Sequence, residues 1–464
     1  MNTRLEEFKR SIEGKRIAVL GMGISNRPLI KFLLQTDVQI TAFDRRTAEE
    51  LEQELEELEG LNIQYSLGKD YLCNLKGFDI VFRTPGMRYD LPELLRAREE
   101  GAEITSEMEV FFELCPAKII AVTGSDGKTT TTTLIYKMLE ESGYHCWLGG
   151  NIGTPLLNRI EEIKETDLVV LELSSFQLQT MKRSPHIAVV TNVSPNHLDV
   201  HKSMEEYVEA KKNIFKFQSQ SDKVILNYDN PVTREFASQT AGQVLFFSRK
   251  NALDRGLVLK DGWLTNKDRD RELKLVKSEE IAIPGEHNVE NYLAAAAAVS
   301  DYVKLEAVAR VAKTFKGVEH RIEFVREIGG VRFYNDSIAS SPTRAIAGLN
   351  SFNQKVILIA GGKDKNIPYD ILGQAIAEKV KVLILIGQTA LKIKAALKAE
   401  IEKTGKGKDI PVVECNSYEE IVSTAYRLAE PGDVVLFSPA STSFDMFKNF
   451  EERGNRFKEL VNKL

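Results

Sequence analysis

A glycine-rich turn near the first third of the chain constrains the fold more than any other segment. It follows a short apolar run at 118–122 and precedes an amphipathic run at 131–142. Strand, glycine turn and helix in this order predict a phosphate-binding loop, because backbone N–H groups and a helix N-terminus then face the phosphate oxygens. Lys128 is placed to reach the β- and γ-phosphates, and Thr129 to ligate the accompanying metal ion. The predicted loop residues are Gly124, Ser125, Asp126, Gly127, Lys128, Thr129 and Thr130.

The loop departs from the strict Walker A pattern at one position. Val122 stands where that pattern has its first glycine. An ordinary turn with a solvated lysine could also read Gly-x-x-Gly-Lys-Thr. The preceding strand and the following helix favour phosphate binding.

The first hundred residues begin like a nucleotide-binding Rossmann unit. Gly21 and Gly23 follow an apolar run, and Asp44 ends the next one, where an acid can meet a ribose hydroxyl. Asn26 replaces the third glycine of the fingerprint. A tight turn without any ligand therefore stays open as an alternative, and a bound nucleotide need not be NAD.

Length and composition describe a soluble, multidomain protein. The chain has 464 residues, 43% hydrophobic and 28% charged, with a formal net charge of −5. We expect three domains at 1–106, 107–318 and 319–464. The negative charge argues against nucleic acid as a partner. With no signal peptide, no apolar run of membrane-spanning length and scattered cysteines, we expect a cytoplasmic protein with no membrane insertion.

The middle segment carries candidate metal ligands at the ends of predicted strands. Glu172 ends an apolar strand and is placed like a Walker B acid that holds Mg²⁺; a core acid paired with a lysine is the alternative. His197 follows the next strand, although a loop histidine beside Asp199 can equally be a surface pair. Asn288 and Asn291 are three residues apart and would share one helix face. The residues alone do not distinguish Lys211 from its neighbour Lys212.

The third segment predicts another α/β domain with a parallel sheet. Its strand-like runs are 355–360, 381–386 and 433–437. Polar clusters at 334–337, 361–365 and 438–445 follow apolar strands, so they should gather at one edge of the sheet.

Several motifs together resemble the Mur ligase family. They are Ala-x-Thr-Gly-Ser-Asp-Gly-Lys-Thr at 121–129, Leu-Glu-Leu-Ser-Ser-Phe-Gln-Leu at 171–178, Asn-x-Ser-Pro-Asn-His-Leu-Asp at 192–199, Gly-Glu-His-Asn-x-x-Asn at 285–291, His-Arg at 320–321 and the run at 438–454. The resemblance covers all three segments in order, and the run at 438–454 is most similar to the member that adds D-glutamate. It implies a Rossmann-like UDP-binding domain, a central P-loop ATPase-type domain and a Rossmann-like C-terminal domain.

The resemblance also implies a reaction and its cofactors. The carboxylate of UDP-N-acetylmuramoyl-L-alanine would attack ATP to give an acyl phosphate, which the amine of D-glutamate would then attack. Two Mg²⁺ ions are implied, one held by Thr129 and Glu172 and one by His197 and Lys211. In this family that lysine carries a carbamate derived from CO₂, which turns a cation into a carboxylate-like ligand. Lys128, His197 and Lys211 are the implied catalytic residues, and we expect a monomer.

The remaining substrate contacts come from the same resemblance. Besides the loop, ATP would meet Asn288, Asn291, Arg321 and Asp336. D-glutamate would meet Lys365, Ser340, Ser443 and Phe450. Ile338 stands where many members have a lysine, so D-glutamate must rely on Lys365 or another cation. The UDP-substrate would meet Ile24, Ser25, Asp44, Arg45, Thr84, Pro85, Gly86, Asn151, Ser174 and Gln177.

Rival interpretations explain less of the sequence. An NAD-dependent oxidoreductase leaves the Lys128 loop without a role. A folylpolyglutamate synthase-like ligase has no use for residues 1–106 as a UDP-binding domain, and a nucleotide switch does not need Glu172, His197 and Lys365. A Mur-family ligase for another amino acid stays open as the nearest alternative.

Overall fold

A computed structural model describes residues 2–194, 203–283, 285–364 and 367–464. These residues form three sheets. The chain divides into two compact units, Met1–Glu280 with Val289–Val311 and Ile281–Asn288 with Ala312–Leu464. His197 and Lys365 lie outside the described residues. The predicted boundaries at 106 and 318 stay predictions.

The first sheet is five-stranded and entirely parallel, in the order β3-β2-β1-β4-β5. The chain therefore reverses direction across the sheet beside β1, where such sheets form their ligand crevice. The strands are β1 (Arg16–Leu20), β2 (Gln39–Asp44), β3 (Ile63–Leu67), β4 (Ile80–Arg83) and β5 (Glu103–Thr105), and the helices are α1 (Thr3–Ile12), α2 (Asn26–Leu33), α3 (Glu52–Glu57) and α4 (Pro92–Glu99).

The second sheet has nine strands in the order β14-β13-β12-β11-β10-β9-β6-β8-β7, parallel except for the β12-β13-β14 meander. Its strands are β6 (Lys118–Thr123), β7 (Cys146–Gly150), β8 (Leu168–Glu172), β9 (Ile187–Val190), β10 (Lys223–Asn227), β11 (Gln243–Ser248), β12 (Arg255–Lys260), β13 (Trp263–Asp268) and β14 (Arg271–Lys277). Its helices are α5 (Glu107–Leu114), α6 (Lys128–Glu141), α7 (Ser175–Leu178), α8 (Met204–Lys216), α9 (Pro231–Glu235), α10 (Glu286–Ala298) and α11 (Leu305–Thr314). The division between the two units falls within α10 and α11.

The third sheet has six strands in the order β15-β16-β20-β17-β18-β19, and only β15 runs antiparallel to its neighbour. The strands are β15 (Glu323–Ile328), β16 (Val331–Asn335), β17 (Val356–Gly361), β18 (Val380–Ile386), β19 (Val412–Cys415) and β20 (Val434–Phe437). The helices are α12 (Pro342–Asn350), α13 (Asp370–Lys379), α14 (Ala390–Thr404), α15 (Tyr418–Leu428) and α16 (Phe450–Asn462). Short 3₁₀ helices occur at Glu49–Leu51, Tyr71–Asn74, Leu157–Arg159, Phe236–Ser238 and Ser278–Glu280.

The buried side chains follow the two units. One continuous hydrophobic core runs from Ile17 of the first sheet through Phe111 of α5 to Phe215 of α8. The third sheet packs a separate apolar layer on each of its faces. Parallel sheets covered by helices confirm the predicted α/β class. No helix among the described residues is long and apolar enough to cross a membrane.

Candidate active site

The glycine turn between β6 and α6 leaves no room for a side chain at two of its positions. Gly127 has a φ of 77° and Gly124 a φ of 153°. A Cβ on Gly127 would lie 2.3 Å from Asn291 Oδ1, and one on Gly124 would lie 1.9 Å from Thr191 Oγ1. Both positions therefore require glycine. Asn291, predicted to contact ATP, lies directly against the loop and accepts a 3.3 Å hydrogen bond from Thr131 Oγ1.

Side chains on both sides hold the loop in place. Ser125 Oγ donates to Ser194 O at 2.9 Å and lies 3.0 Å from the Tyr207 hydroxyl. Lys128 Nζ donates to Gly124 O and Ser125 O, each at 3.0 Å, so its ammonium lies over the turn. Thr129 is buried, Thr130 is half-buried, and Asp126 is exposed. The turn thus has the form of a phosphate-binding loop with its lysine in place.

Glu172 brings a buried carboxylate beside this loop. It ends β8, pairs in register with Val122 of β6, and is 2% exposed. Asn151 Nδ2 donates to Glu172 Oε1 at 2.8 Å, while Oε2 has no hydrogen-bond partner among the described residues. Within that same part of the chain Glu172 forms no ion pair, but its charge acts on the buried Lys211, so the alternative of a core acid coupled to a lysine stays open. A buried carboxylate oxygen without a partner fits a Mg²⁺ ligand.

Lys211 is the buried cation nearest to the same turn. It is 1% exposed, and its Nζ donates to Gly124 O at 2.8 Å and lies 3.4 Å from Thr123 Oγ1. Burial, and then the ammonium of Lys128, hold the pKa of Lys211 well below its usual value. Its Nζ also lies 4.6 Å from the centroid of the Tyr207 ring. Among the described residues Lys211 has no ion pair, and the carboxylates of Asp126 and Glu172 offset the effects of burial and of Lys128 only in part.

The sequence held a signal that separates Lys211 from Lys212. Lys211 is four residues after Tyr207 and three before Ile214, which places it on the apolar face of α8. Lys212 instead pairs with Glu209 at 2.5 Å on the exposed side. The position of a lysine within the apolar stripe of a helix therefore indicated which of the two lysines is buried.

The side chains of Asp44 and Asn26 hold the glycine turn after β1 in place through hydrogen bonds. Asp44 Oδ2 accepts the Met22 N–H at 2.8 Å and pairs with Arg46 at 3.0 Å. Burial alone would raise the pKa of Asp44, but the hydrogen bonds from Arg46 and Met22 outweigh it and lower the pKa. Asn26 Nδ2 donates to Leu20 O at 3.0 Å and to Gly21 O at 2.8 Å, so the residue in the third glycine's place holds the turn.

The other predicted UDP contacts in the loops of the first sheet differ in exposure. Ile24 projects from the turn with 73% exposure, and Arg45 and Gly86 are exposed too. Ser25, Thr84 and Pro85 are half-buried. Their assignment to a UDP-substrate stays a prediction.

Arg83, to which the sequence analysis gave no role, joins that region to α7. It is buried at the end of β4 and donates to Pro85 O at 3.2 Å and to Met87 O. Its second nitrogen donates to Thr180 Oγ1 at 3.3 Å, just after α7. Ser174 and Gln177, both predicted to meet the substrate, form a capping box at the start of α7. Arg83 thus fixes the Thr84–Gly86 turn relative to Gln177.

In the second unit, Asp336 follows β16 and contacts Ser438, which follows the neighbouring strand β20. Ser438 Oγ donates to Asp336 Oδ2 at 2.7 Å, and the Ile322 N–H donates to Oδ1 at 3.3 Å. Burial raises the pKa of Asp336 to about 7, against the opposing effects of Ser438 and Arg321. Ser443 is buried, while Ser340, Arg321 and Phe450 are half-buried.

A fully buried arginine ties these loops to each other, and sequence reasoning gave it no role. Arg453 is 0% exposed, and its guanidinium donates to Ser337 O at 2.7 Å, Ser337 Oγ at 3.0 Å and Ser441 O at 2.9 Å. Ser337 Oγ in turn donates to Phe450 O at 2.8 Å. Arg453 therefore fixes the backbone on which Ser443 and Phe450, the predicted D-glutamate contacts, are carried.

The predicted residues fall into two groups. The first unit contains the phosphate loop, Glu172, Lys211 and Asn291, which lie around one turn, and Asn151, which is bonded to Glu172. The second unit contains Asn288, Arg321, Asp336, Ser340, Ser443 and Phe450.

Comparisons with protein families match most of the chain. Residues 15–106 match the model of a Mur ligase MurD-like N-terminal domain. Residues 122–299 match the Mur ligase middle domain, and residues 320–441 match the Mur ligase glutamate ligase domain.

Individual relatives span the full length. A protein of Acetivibrio thermocellus named UDP-N-acetylmuramoylalanine–D-glutamate ligase is 67% identical over 464 residues, covering 100% of both chains. A protein of the same name from Ruminiclostridium cellulolyticum is 58% identical, again over 100% of both chains. The solved structure of a UDP-N-acetylmuramate-alanine ligase from Thermotoga maritima is similar in fold, with a TM-score of 0.57 at 21% identity, covering 97% of this chain and 99% of that one.

Proposed function

This chain belongs to the Mur ligase family, and from that premise we propose that it joins D-glutamate to UDP-N-acetylmuramoyl-L-alanine using ATP. The products are ADP, phosphate and the extended UDP-sugar peptide. The observation that carries the proposal is the first unit's site, where Lys128 and Lys211 both contact the glycine turn beside the buried carboxylate of Glu172. Full-length relatives that bear this enzyme name support the choice of amino acid.

The two chemical steps need no reactant other than ATP, the UDP-substrate and D-glutamate. The substrate carboxylate attacks the γ-phosphorus of ATP, the bond to ADP breaks, and an acyl phosphate forms. The amine of D-glutamate then attacks the acyl carbon, a tetrahedral intermediate collapses, and phosphate leaves as the nitrogen loses a proton. Lys128 neutralises charge on the phosphates during the first step, when two anions must approach each other. The loop N–H groups and the N-terminus of α6 hold the triphosphate in line.

Magnesium fits the donors around the loop. Thr129 and Glu172 would hold one ion, and the unpartnered Oε2 of Glu172 offers the carboxylate oxygen that Mg²⁺ prefers. His197 and a carbamate on Lys211 would hold the second. When bound, the ions neutralise phosphate charge. The buried Nζ of Lys211, without an ion pair in the described part of the chain, supports a modification that changes its charge.

The substrate contacts follow the family assignment. Asn288, Asn291, Arg321 and Asp336 complete the set that binds ATP. Ser340, Ser443, Phe450 and Lys365 bind D-glutamate, and the buried Arg453 positions the loop that carries Ser443. The enzyme acts as a cytoplasmic monomer. The UDP-substrate meets Ile24, Ser25, Asp44, Arg45, Thr84, Pro85, Gly86, Asn151, Ser174 and Gln177.

Phosphate release tests the assignment directly. The full chain is incubated with ATP, Mg²⁺, bicarbonate and UDP-N-acetylmuramoyl-L-alanine, with D-glutamate, L-lysine or meso-diaminopimelate in separate reactions. We expect phosphate and a new peptide only with D-glutamate. Lys128→Met should lower kcat about 100-fold or more, whereas Lys137→Met, which changes an exposed lysine of the same helix, should leave it nearly unchanged.

Other outcomes would change the conclusion in defined ways. Turnover with another amino acid would keep the ligase chemistry and refute D-glutamate as the substrate. Absence of turnover with every amino acid, in folded protein, would refute the ligase function itself.

A further inference from the structure

The turn after β16 lacks a cation at the position where the family resemblance implies one. Ile338 is half-buried there and offers only its backbone to a charged ligand. The Ala339 N–H donates to Asp336 O at 2.9 Å and the Ser340 N–H to Ile338 O at 2.8 Å, so the turn is tight. A substrate carboxylate next to Ser340 therefore needs its positive charge from elsewhere.

Arg344 brings a guanidinium to this turn. It is the third residue of α12, and its Nη1 donates to the carbonyl oxygen of Ile338 at 3.3 Å. This is its one side-chain hydrogen bond within the described residues, and it makes no ion pair there. A guanidinium has five N–H donors in a planar fork that matches a carboxylate. Arg344 is also exposed, so a ligand can reach it.

The charges around Arg344 favour an anion. Partial desolvation of the guanidinium, and then repulsion by Arg321, lower the pKa of Arg344. Within the described part of the chain, the carboxylate that opposes these effects is Asp336, which interacts electrostatically with both arginines and has a pKa of about 7. Near neutral pH Asp336 is therefore only partly ionised, and the cluster keeps an excess of positive charge.

We propose that Arg344 binds a carboxylate of the incoming D-glutamate and supplies the charge that Ile338 cannot. Its hydrogen bond to the Ile338 carbonyl places the cation at the same turn from a different position in the sequence. This inference rests on the proposed function. ATP phosphate is the other anion that could use the same chemistry, and steady-state kinetics distinguish the two.

The test compares Arg344→Gln with Arg427→Gln, which removes an exposed arginine of α15 from the same unit. Losing a charge-assisted bidentate contact should raise the KM for D-glutamate by about 10- to 100-fold. The KM for ATP should change by less than about 2-fold, because the phosphates do not use Arg344. Arg427→Gln should leave both constants unchanged. A rise in the KM for ATP with an unchanged KM for D-glutamate would overturn the inference in favour of a phosphate contact.

A second variant tests whether the two positions serve one carboxylate. Ile338→Lys, introduced into Arg344→Gln, restores a cation at the turn and should recover most of the affinity for D-glutamate. An unchanged KM for D-glutamate in the single variant, or no recovery in the double variant, would refute the inference. Thermal unfolding of each variant verifies that it is folded.

The wild-type enzyme separates this inference from the proposed function. If it releases no phosphate with D-glutamate, the proposed function itself fails. If it turns over normally and Arg344→Gln does so with an unchanged KM, only the role of Arg344 fails.

Discussion

Glu107 is a buried carboxyl group at the start of α5, next to the predicted boundary between the first two domains. It is 8% exposed, and its Oε1 has no hydrogen-bond partner among the described residues. Burial raises its pKa to about 7, although a hydrogen bond from the Leu157 N–H opposes the shift. Burial therefore favours the protonated carboxyl group in the folded protein, while in the unfolded chain this group ionises with the ordinary glutamate pKa of 4.5.

This difference makes the stability depend on pH in a predictable direction. The folded state binds the Glu107 proton more tightly than the unfolded chain, so this contribution is fully present below about pH 4.5 and is lost as pH rises to about 7. The Glu107→Gln variant does not lose this stability at high pH, because glutamine does not ionise. Its free energy of unfolding relative to wild type should therefore rise by about 3 kcal/mol between pH 4.5 and pH 8.

Urea unfolding at several pH values measures this difference. The glutamine amide can also change the free energy of unfolding by an amount that does not depend on pH. This amount cancels, because only the change of the free energy of unfolding with pH is compared. Glu113→Gln, which changes an exposed carboxylate on the same helix, is the matched control and should show a nearly flat difference. A flat difference for Glu107→Gln as well would mean that the carboxyl group is not desolvated.

At the scale of residues, the sequence predicted those groups whose role follows from local context. Glu172 was predicted as a metal ligand from its place at the end of an apolar strand, and its buried, partly unpaired carboxylate is consistent with that. Arg83 and Arg453 could not be assigned, because each bonds to loops distant in sequence. Their burial is a property of the folded chain, and no local pattern encodes it.

The turn before α6 shows how an element depends on one glycine. Gly127 and Gly143 flank α6, and both have positive φ, 77° and 86°. A Cβ on Gly143 would meet nothing within 4 Å, whereas one on Gly127 would collide with Asn291 Oδ1 at 2.3 Å. An alanine would therefore suffer the same backbone strain at either position, and the two positions differ only in the space around them.

Paired substitutions separate these two effects. Gly143→Ala should cost about 1 kcal/mol of stability through strain alone and keep full activity. Gly127→Ala should cost more, because Asn291 must move, and should raise the KM for ATP at least about 10-fold. Chemical unfolding and steady-state kinetics measure both quantities. Equal effects of the two variants on activity would refute the role of the Gly127–Asn291 contact.

At the scale of elements, hydrophobic runs located the buried parallel strands but missed an antiparallel meander. Strands β6, β8, β9, β17, β18 and β20 are continuous apolar runs and were predicted. The meander β12–β14 is rich in charge, and β14 in particular is mostly exposed with a single buried residue, Val276. Such strands form because they pair with a neighbour, and composition alone does not reveal the pairing.

At the scale of the whole molecule, the motifs do not reveal how the hydrophobic cores are arranged, and the domain boundaries at 106 and 318 stay predictions. The first two sheets share one continuous core, which includes Ile17, Phe111 and Phe215. The third sheet has its own apolar layers, with Phe457 in one of them. The motifs predicted three nucleotide- and substrate-binding segments, but which segments share a core depends on contacts between side chains distant in sequence. Cooperative unfolding should follow the shared cores.

Calorimetry of the full chain tests this expectation with two matched core variants. Phe111 and Phe457 are each 0% exposed, one in each unit. Truncating either to alanine should cost about 3–5 kcal/mol, which lowers the affected transition by about 10 °C. We expect two transitions, with Phe111→Ala lowering only the one that UDP-N-acetylmuramoyl-L-alanine raises, since this ligand stabilises the unit that binds it. Phe457→Ala should lower only the other. If both variants lower a single common transition, the two units unfold as one cooperative structure and the separate cores do not define independent folding units.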